Sequence, residues 1–156
     1  MKIGWVLLAE GIGQDSRAVL TAIGLNQNVL PTPTLPIVTK RAIVVHVVSD
    51  TDPLKLGDKF NVTFNITNPH GKIITAQNGQ VTVGKVPWPD LPISFDLPVE
   101  LVFNVSEYGT YLIEATVQVA DGPEMSEHIE FYVVNAPGPD SAESRTAPAW
   151  AAPTPS

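Results

Sequence analysis

Phe60-Asn61-Val62-Thr63-Phe64-Asn65-Ile66-Thr67 alternates without a break between large apolar and small polar residues. A period of two puts every second side chain on the same face of an extended chain. This stretch therefore reads as a β-strand with Phe60, Val62, Phe64 and Ile66 turned inward and Asn61, Thr63, Asn65 and Thr67 turned outward. Burying the four inward side chains contributes about 1.5–3 kcal/mol each. Fixing the backbone costs about 1–2 kcal/mol per residue. One strand cannot carry that balance, so its apolar row has to face another row.

The same period recurs on both sides. Ile93, Phe95, Leu97, Val99, Leu101, Phe103 and Val105 form the longest series, with Pro98 on the opposite parity. Proline donates nothing to a ladder, so that strand is expected to bend or to lie at a sheet edge. Tyr111 to Val119 and Ile129 to Val133 alternate in the same way. Ile37 to Ser49 contains Val44, Val45, Val47 and Val48 and is apolar on both faces, which implies a central or covered strand. Ile3 to Ala9 reads as a strand with Trp5 in the core, and Ala18 to Leu25 as its hairpin partner across a connection holding Gly11-Ile12-Gly13. Asn78-Gly79 reads as a two-residue hairpin turn between residues 73–77 and 80–86. Pro69-His70-Gly71-Lys72 and Asp121-Gly122 read as further turns. No segment combines helical spacing with caps. The 156 residues are rich in turn formers, with 15 prolines and 11 glycines. The expectation is an all-β, antiparallel, immunoglobulin-like β-sandwich of seven to nine strands over residues 1–135. Residues 136–156 hold five prolines among mostly Ala, Ser and Thr, and read as a disordered tail.

Charge and chemistry narrow the function more than they define it. The chain has no cysteine, which removes disulfides, thiolate metal sites and cysteine nucleophiles. The net charge of −7 is uneven, with +3 over residues 1–85 and −10 over residues 86–156. Such a surface aids solubility, and the split also suits head-to-tail self-association or a basic partner. Nothing resembles the clustered Lys/Arg of a nucleic-acid footprint. No apolar run approaches the length of a membrane span, and Glu10 ends the apolar start without a cleavage site, so a cytoplasmic location is expected.

His46, His70 and His128 are far apart, and no hydrolase elbow or zinc-protease motif accompanies them. Asp50, Asp52 and Asp58 share a loop without the spacing of a calcium-binding hand. The sequons at Asn61, Asn65 and Asn104 follow from polar alternation, and Pro33-Thr34-Leu35-Pro36 and Pro89-Asp90-Leu91-Pro92 read as loop breakers. Pro87-Trp88-Pro89 holds an aromatic ring in a rigid loop, suited to anchor an interface or to fold over an open end of the domain. No catalytic, cofactor or metal residues are nominated. The candidate contacts are Trp88 and the row Asn61, Thr63, Asn65 and Thr67.

Two stretches carry a resemblance. The opening joins Leu7-Leu8-Ala9-Glu10 to Arg17-Ala18-Val19-Leu20-Thr21-Ala22-Ile23-Gly24. The close runs from Tyr108-Gly109-Thr110-Tyr111-Leu112-Ile113-Glu114-Ala115 through Asp121-Gly122 to Ile129-Glu130-Phe131-Tyr132-Val133-Val134. Together they resemble a family of small bacterial proteins, common in actinobacteria, with an immunoglobulin-like sandwich and no assigned activity. The resemblance covers residues 1–135, implies that Tyr111 acts as a tyrosine corner, and brings no catalytic residue or cofactor. The function expected is a non-catalytic binding or scaffolding module for a protein partner. The alternatives are a self-assembling structural subunit, of a virion or another assembly, and a carbohydrate- or calcium-binding domain.

Overall fold

The computed structural model describes residues 2–14, 20–25, 28–49, 57–84, 94–119 and 122–136. These form ten strands and no helix. They are β1 (Lys2–Ala9), β2 (Gly11–Gln14), β3 (Leu20–Ile23), β4 (Val29–Thr32), β5 (Ile37–Val48), β6 (Lys59–Thr67), β7 (Ile73–Thr82), β8 (Ser94–Val105), β9 (Gly109–Val119) and β10 (Glu124–Asn135). The count exceeds the seven to nine expected, because β2 lies in a stretch read as a connection and β4 in one not read as a strand.

Alternation builds two sheets. One has the order β1-β5-β8 and the other β4-β10-β9-β6-β7, while β2 and β3 pair separately. The inward row of β6 is buried as the sequence requires, with Phe60, Val62, Phe64 and Ile66 each at most 4% exposed. Tyr111, Ile113, Ala115 and Val117 of β9 and Phe131 and Val133 of β10 continue it. Leu8, Ile43, Val45, Val47, Leu97, Leu101, Phe103 and Val105 meet it from the other sheet, in one core. Two ring pairs join the sheets: Phe60 with Phe95 at 5.0 Å, and Phe103 edge-on to Phe131 at 5.8 Å. Such contacts add about 0.5–1.5 kcal/mol beyond the area they bury.

β5 is central between β1 and β8, and its Ala42 and Val44, on the face away from the core, are buried too. β8 is an edge strand, and Pro98 sits on it opposite Val44. Tyr111 is fully buried and its hydroxyl donates to the Glu107 carbonyl at 3.1 Å. That bond ties the start of β9 to the turn before it.

Several expectations are corrected. The partner of β1 is β5, from Lys2↔Val48 to Ala9↔Ala42, and not residues 18–25. β3 instead pairs with β2, so Gly11-Ile12-Gly13 is strand and not connection. The long two-sided strand offers β1 more ladder bonds and more apolar surface than a four-residue neighbour does. Trp5 is 40% exposed rather than in the core. The ladder shifts between Ile3 and Trp5, which turns Trp5 outward opposite His46, while Val6 and Leu8 pack against or into the core. β4 runs parallel to β10, in an otherwise antiparallel sheet.

Asn78-Gly79 makes no turn. Both residues lie inside β7, opposite Thr63 and Val62 of β6. A tight two-residue turn requires left-handed backbone, and Gly79 is not among the glycines with positive φ. The hairpin closes one turn earlier, where Gly71 has φ 78°. There the Asn68 side-chain oxygen accepts the backbone N–H groups of His70 at 3.1 Å and Lys72 at 2.9 Å.

The charge split of the sequence does not become two poles of the fold. β5 carries Lys40 and Arg41 and pairs with β8, which carries Asp96 and Glu100, and Lys40 meets Glu100 at 2.7 Å. Among the described residues, basic and acidic segments are thus interleaved by strand pairing.

Candidate functional site

The nominated polar row lies on the outer face of the five-stranded sheet. β6 is flanked by β7 and β9, so each row residue has two cross-strand neighbours. Asn61 sits between Gln80 and Gln118, Thr63 between Asn78 and Thr116, and Asn65 between Ala76 and Glu114. Thr67 sits between Ile73 and Leu112. Amide and hydroxyl bonds link the surface sideways. Gln80 Nε2 donates to Asn61 Oδ1 at 3.3 Å, and Asn65 Nδ2 to Glu114 Oε2 at 3.5 Å. Farther along, the hydroxyls of Thr116 and Ser126 are 2.6 Å apart, and Ser126 donates to Glu114 Oε1 at 3.3 Å. On β10 the Tyr132 hydroxyl donates to Glu130. That bond, with the Glu130 charge beside it, raises the Tyr132 pKa above the ordinary 10.0. Trp88, the other nominated contact, lies outside the described residues.

Beside this face is a feature that the sequence reading missed. β7 is the free edge of the five-stranded sheet. Its ten residues, IITAQNGQVT, contain no charge and no proline. Edge strands ordinarily carry Lys, proline, bulges or a cover against unwanted pairing. Of these β7 has a register shift at its start, between Ile73 and Thr75, and is regular from Thr75 to Thr82, whereas β8 has Asp96, Pro98 and Glu100, β4 is four residues long with Pro31, and β1 runs beside β10. A groove of about 140 Å³ opens between β7 and β8, lined by Val62, Phe64, Gln77, Gly79, Leu97 and Pro98 among others. Gly79 is responsible for part of it. It faces the core side opposite Val62, and a Cβ built there meets nothing within 4 Å.

Two histidines acquire partners that lie far away in sequence. His46 Nδ1 is 2.7 Å from Asp96 Oδ1, across the β5–β8 ladder on the outer face of the three-stranded sheet. The Trp5 ring stacks on His46 at 4.7 Å with an interplanar angle of 4°. Gly4 makes room for the imidazole, since a Cβ there would fall 2.9 Å from His46 Cδ2. His70 Nε2 is 2.7 Å from Glu107 Oε2, and Asn68 Nδ2 donates to the other oxygen of Glu107 at 2.9 Å. This second cluster pins the β6–β7 turn to the turn before β9. His128 is exposed and stands opposite Glu114.

Each pair is a polar clip, the first between β5 and β8 and the second between two turns. Arg41 lies with its guanidinium 5.2 Å from the Phe131 ring centroid, and burial lowers its pKa, opposed by Glu10. Among the described residues no three metal-ligating side chains converge. Asp50 and Asp52 of the acidic loop lie outside them, as does Pro89-Asp90-Leu91-Pro92. No helix among the described residues is long and apolar enough to cross a membrane. No family model matches the chain, and no curated protein matches it significantly.

Proposed function

We propose that this chain is a non-catalytic, immunoglobulin-like binding module that holds a protein partner against the outer face of its five-stranded sheet. The strand arrangement supports the class. β1-β5-β8 corresponds to the A-B-E order of such domains, and β10-β9-β6-β7 to G-F-C with an added C′ strand. The Tyr111 bond to the Glu107 carbonyl has the form of a tyrosine corner. The observation that carries the function is the outer face itself. Asn61, Thr63 and Asn65 are joined by Gln80, Asn78, Gln118 and Thr116 into an amide and hydroxyl surface, bordered by the Glu114 carboxylate opposite Asn65 and by Thr67 at its end. Such a surface offers donors and acceptors to a partner, and the Glu114 carboxylate on it has Asn65 and Ser126 as hydrogen-bond donors.

The test is affinity capture from cells expressing the full chain, with Thr63→Arg and Asn65→Arg as variants. Both substitutions are on the outward parity and leave the core untouched. A partner retained by the wild type and lost with either variant, at unchanged melting temperature, supports the proposal. Capture that both variants leave intact removes this face from consideration.

A second reading, a self-assembling structural subunit, is favoured by one observation, the charge-free edge of β7.

A further inference from the structure

We infer that two copies of this chain pair through β7, antiparallel across a two-fold axis at Asn78, to join two five-stranded sheets into one. The inference deepens the self-assembly reading and rests on it; it uses the backbone edge of β7, whose Asn78 and Gln80 also border the partner-binding face.

An unpaired strand edge is a row of backbone donors and acceptors that adds another strand readily. Which strand it accepts is set by what the side chains tolerate. A chain of net charge −7 repels its own copies over most of its surface. Along residues 73–82 that repulsion has no local source. Copies can therefore approach there without placing like charges opposite each other, a juxtaposition that destabilises cross-strand pairs.

The register follows from the shapes on the core side. Thr75, Gln77, Gly79 and Val81 share that side, since they oppose Ile66, Phe64, Val62 and Phe60 of β6. In a two-fold pair centred on Asn78, Gln77 of one copy stands opposite Gly79 of the other. The long side chain then meets the position that has none. The space over Gly79 is open and continues into the groove beside Leu97 and Pro98. Thr75 stands opposite Val81, and on the outer side Ala76 opposite Gln80, with the two Asn78 amides facing each other. Gln77 with Gly79 and Gln80 with Ala76 join long to small, the two Asn78 join amide to amide, and Thr75 with Val81 are both β-branched. A register centred on Gln77 or Gly79 stacks two long amides in the groove or leaves two vacant positions opposite each other.

The absence of cysteine makes the test direct. Directly opposed residues of an antiparallel pair have Cα atoms about 4.5–5.5 Å apart, within disulfide range. Asn78→Cys in the full chain is therefore expected to form a covalent dimer under mild oxidation, and Thr82→Cys, displaced from the axis, to form far less. In sedimentation equilibrium the wild type is expected to dimerise with concentration. Asn78→Lys is expected to weaken the dimer by on the order of tenfold or more, because two ammonium groups then face each other. Mixing Asn78→Lys with Asn78→Glu is expected to restore pairing. Residue 78 is exposed, and melting temperatures establish that each variant is folded.

A dimer indifferent to Asn78→Lys overturns the β7 pair and leaves assembly through another surface standing. A wild type that stays monomeric at high concentration overturns both. Crosslinking as strong at Thr82→Cys as at Asn78→Cys overturns the register. A monomer that binds a foreign extended peptide at β7 overturns the choice of occupant.

Discussion

Two tyrosines show how single atoms hold this molecule. Tyr111 is completely buried, yet its hydroxyl has a backbone acceptor in Glu107, so burying it costs little. Tyr111→Phe keeps the ring and removes the bond. The expected loss is about 1 kcal/mol, read as a lower urea midpoint at unchanged slope. Tyr132 shows the electrostatic case. Its bond to Glu130 raises its pKa, so the folded chain holds that proton more tightly than the unfolded chain does. The stabilisation is complete below the ordinary tyrosine pKa and is lost as pH rises through the raised value. In an ultraviolet phenolate titration, Tyr132 is expected to ionise later than a free tyrosine, and Glu130→Gln to bring it back toward 10.0. A profile identical in wild type and Glu130→Gln would falsify the assignment. The residue scale is also where one sequence says least. His46 and Asp96 are 50 positions apart, and their pairing depends on the β5–β8 register. No local pattern encodes that register. The shared outward parity of His46 and Asp96 was the only available sign.

At the scale of the element, period-two alternation carried most of the information. β6, β8, β9 and β10 have the inward and outward faces that their residue types dictate, because each buries one side and a one-residue slip would invert it. The outward row Asn61, Thr63, Asn65 and Thr67 was legible for the same reason. Strand identity was harder where the two neighbours were equally apolar or equally small. Residues 2–9 suit any strand with a buried face, and only the three-dimensional competition gives them to β5. Asn78-Gly79 has the residues of a tight turn, but β6 is nine residues long and presents a partner for every residue of β7 except Ile74. Reading a turn there also hid the long uncharged edge, since a strand cut in two presents no continuous row of ladder groups. Gly79→Val distinguishes the two states. In an extended strand with open space at the Cβ, valine gains propensity and packing, and the expected effect is stabilisation by about 0.5–1 kcal/mol. In a turn requiring left-handed backbone the same change destabilises. Thermal melts of the variant, in dilute solution where pairing between copies does not contribute, give the sign.

Over the whole molecule the question is whether two sheets make one folding unit. The three-stranded sheet has too little apolar surface on one face to stand alone, and its inward residues share one core with the inward row of β6, β9 and β10, with Leu30 of β4 and Ile74 and Val81 of β7 packed against it. Leu101 and Ile113 are both fully buried, one from each sheet, and both belong to the same core. Leu101→Ala and Ile113→Ala are each expected to cost about 2–5 kcal/mol. If the sheets fold as one, either substitution lowers the midpoint of a single urea transition seen alike by far-ultraviolet circular dichroism and by fluorescence. If they fold separately, two transitions appear and each variant moves only one. The ring pair Phe103–Phe131 makes the coupling measurable, because it joins β8 of one sheet to β10 of the other edge to face. A double-mutant cycle to leucine at both positions is expected to return an interaction of about 0.5–1.5 kcal/mol. A coupling of zero would mean that the sheets merely touch. Stability would then have to come from each sheet alone, which the burial of Leu101, Phe103 and Val105 against the opposite sheet contradicts.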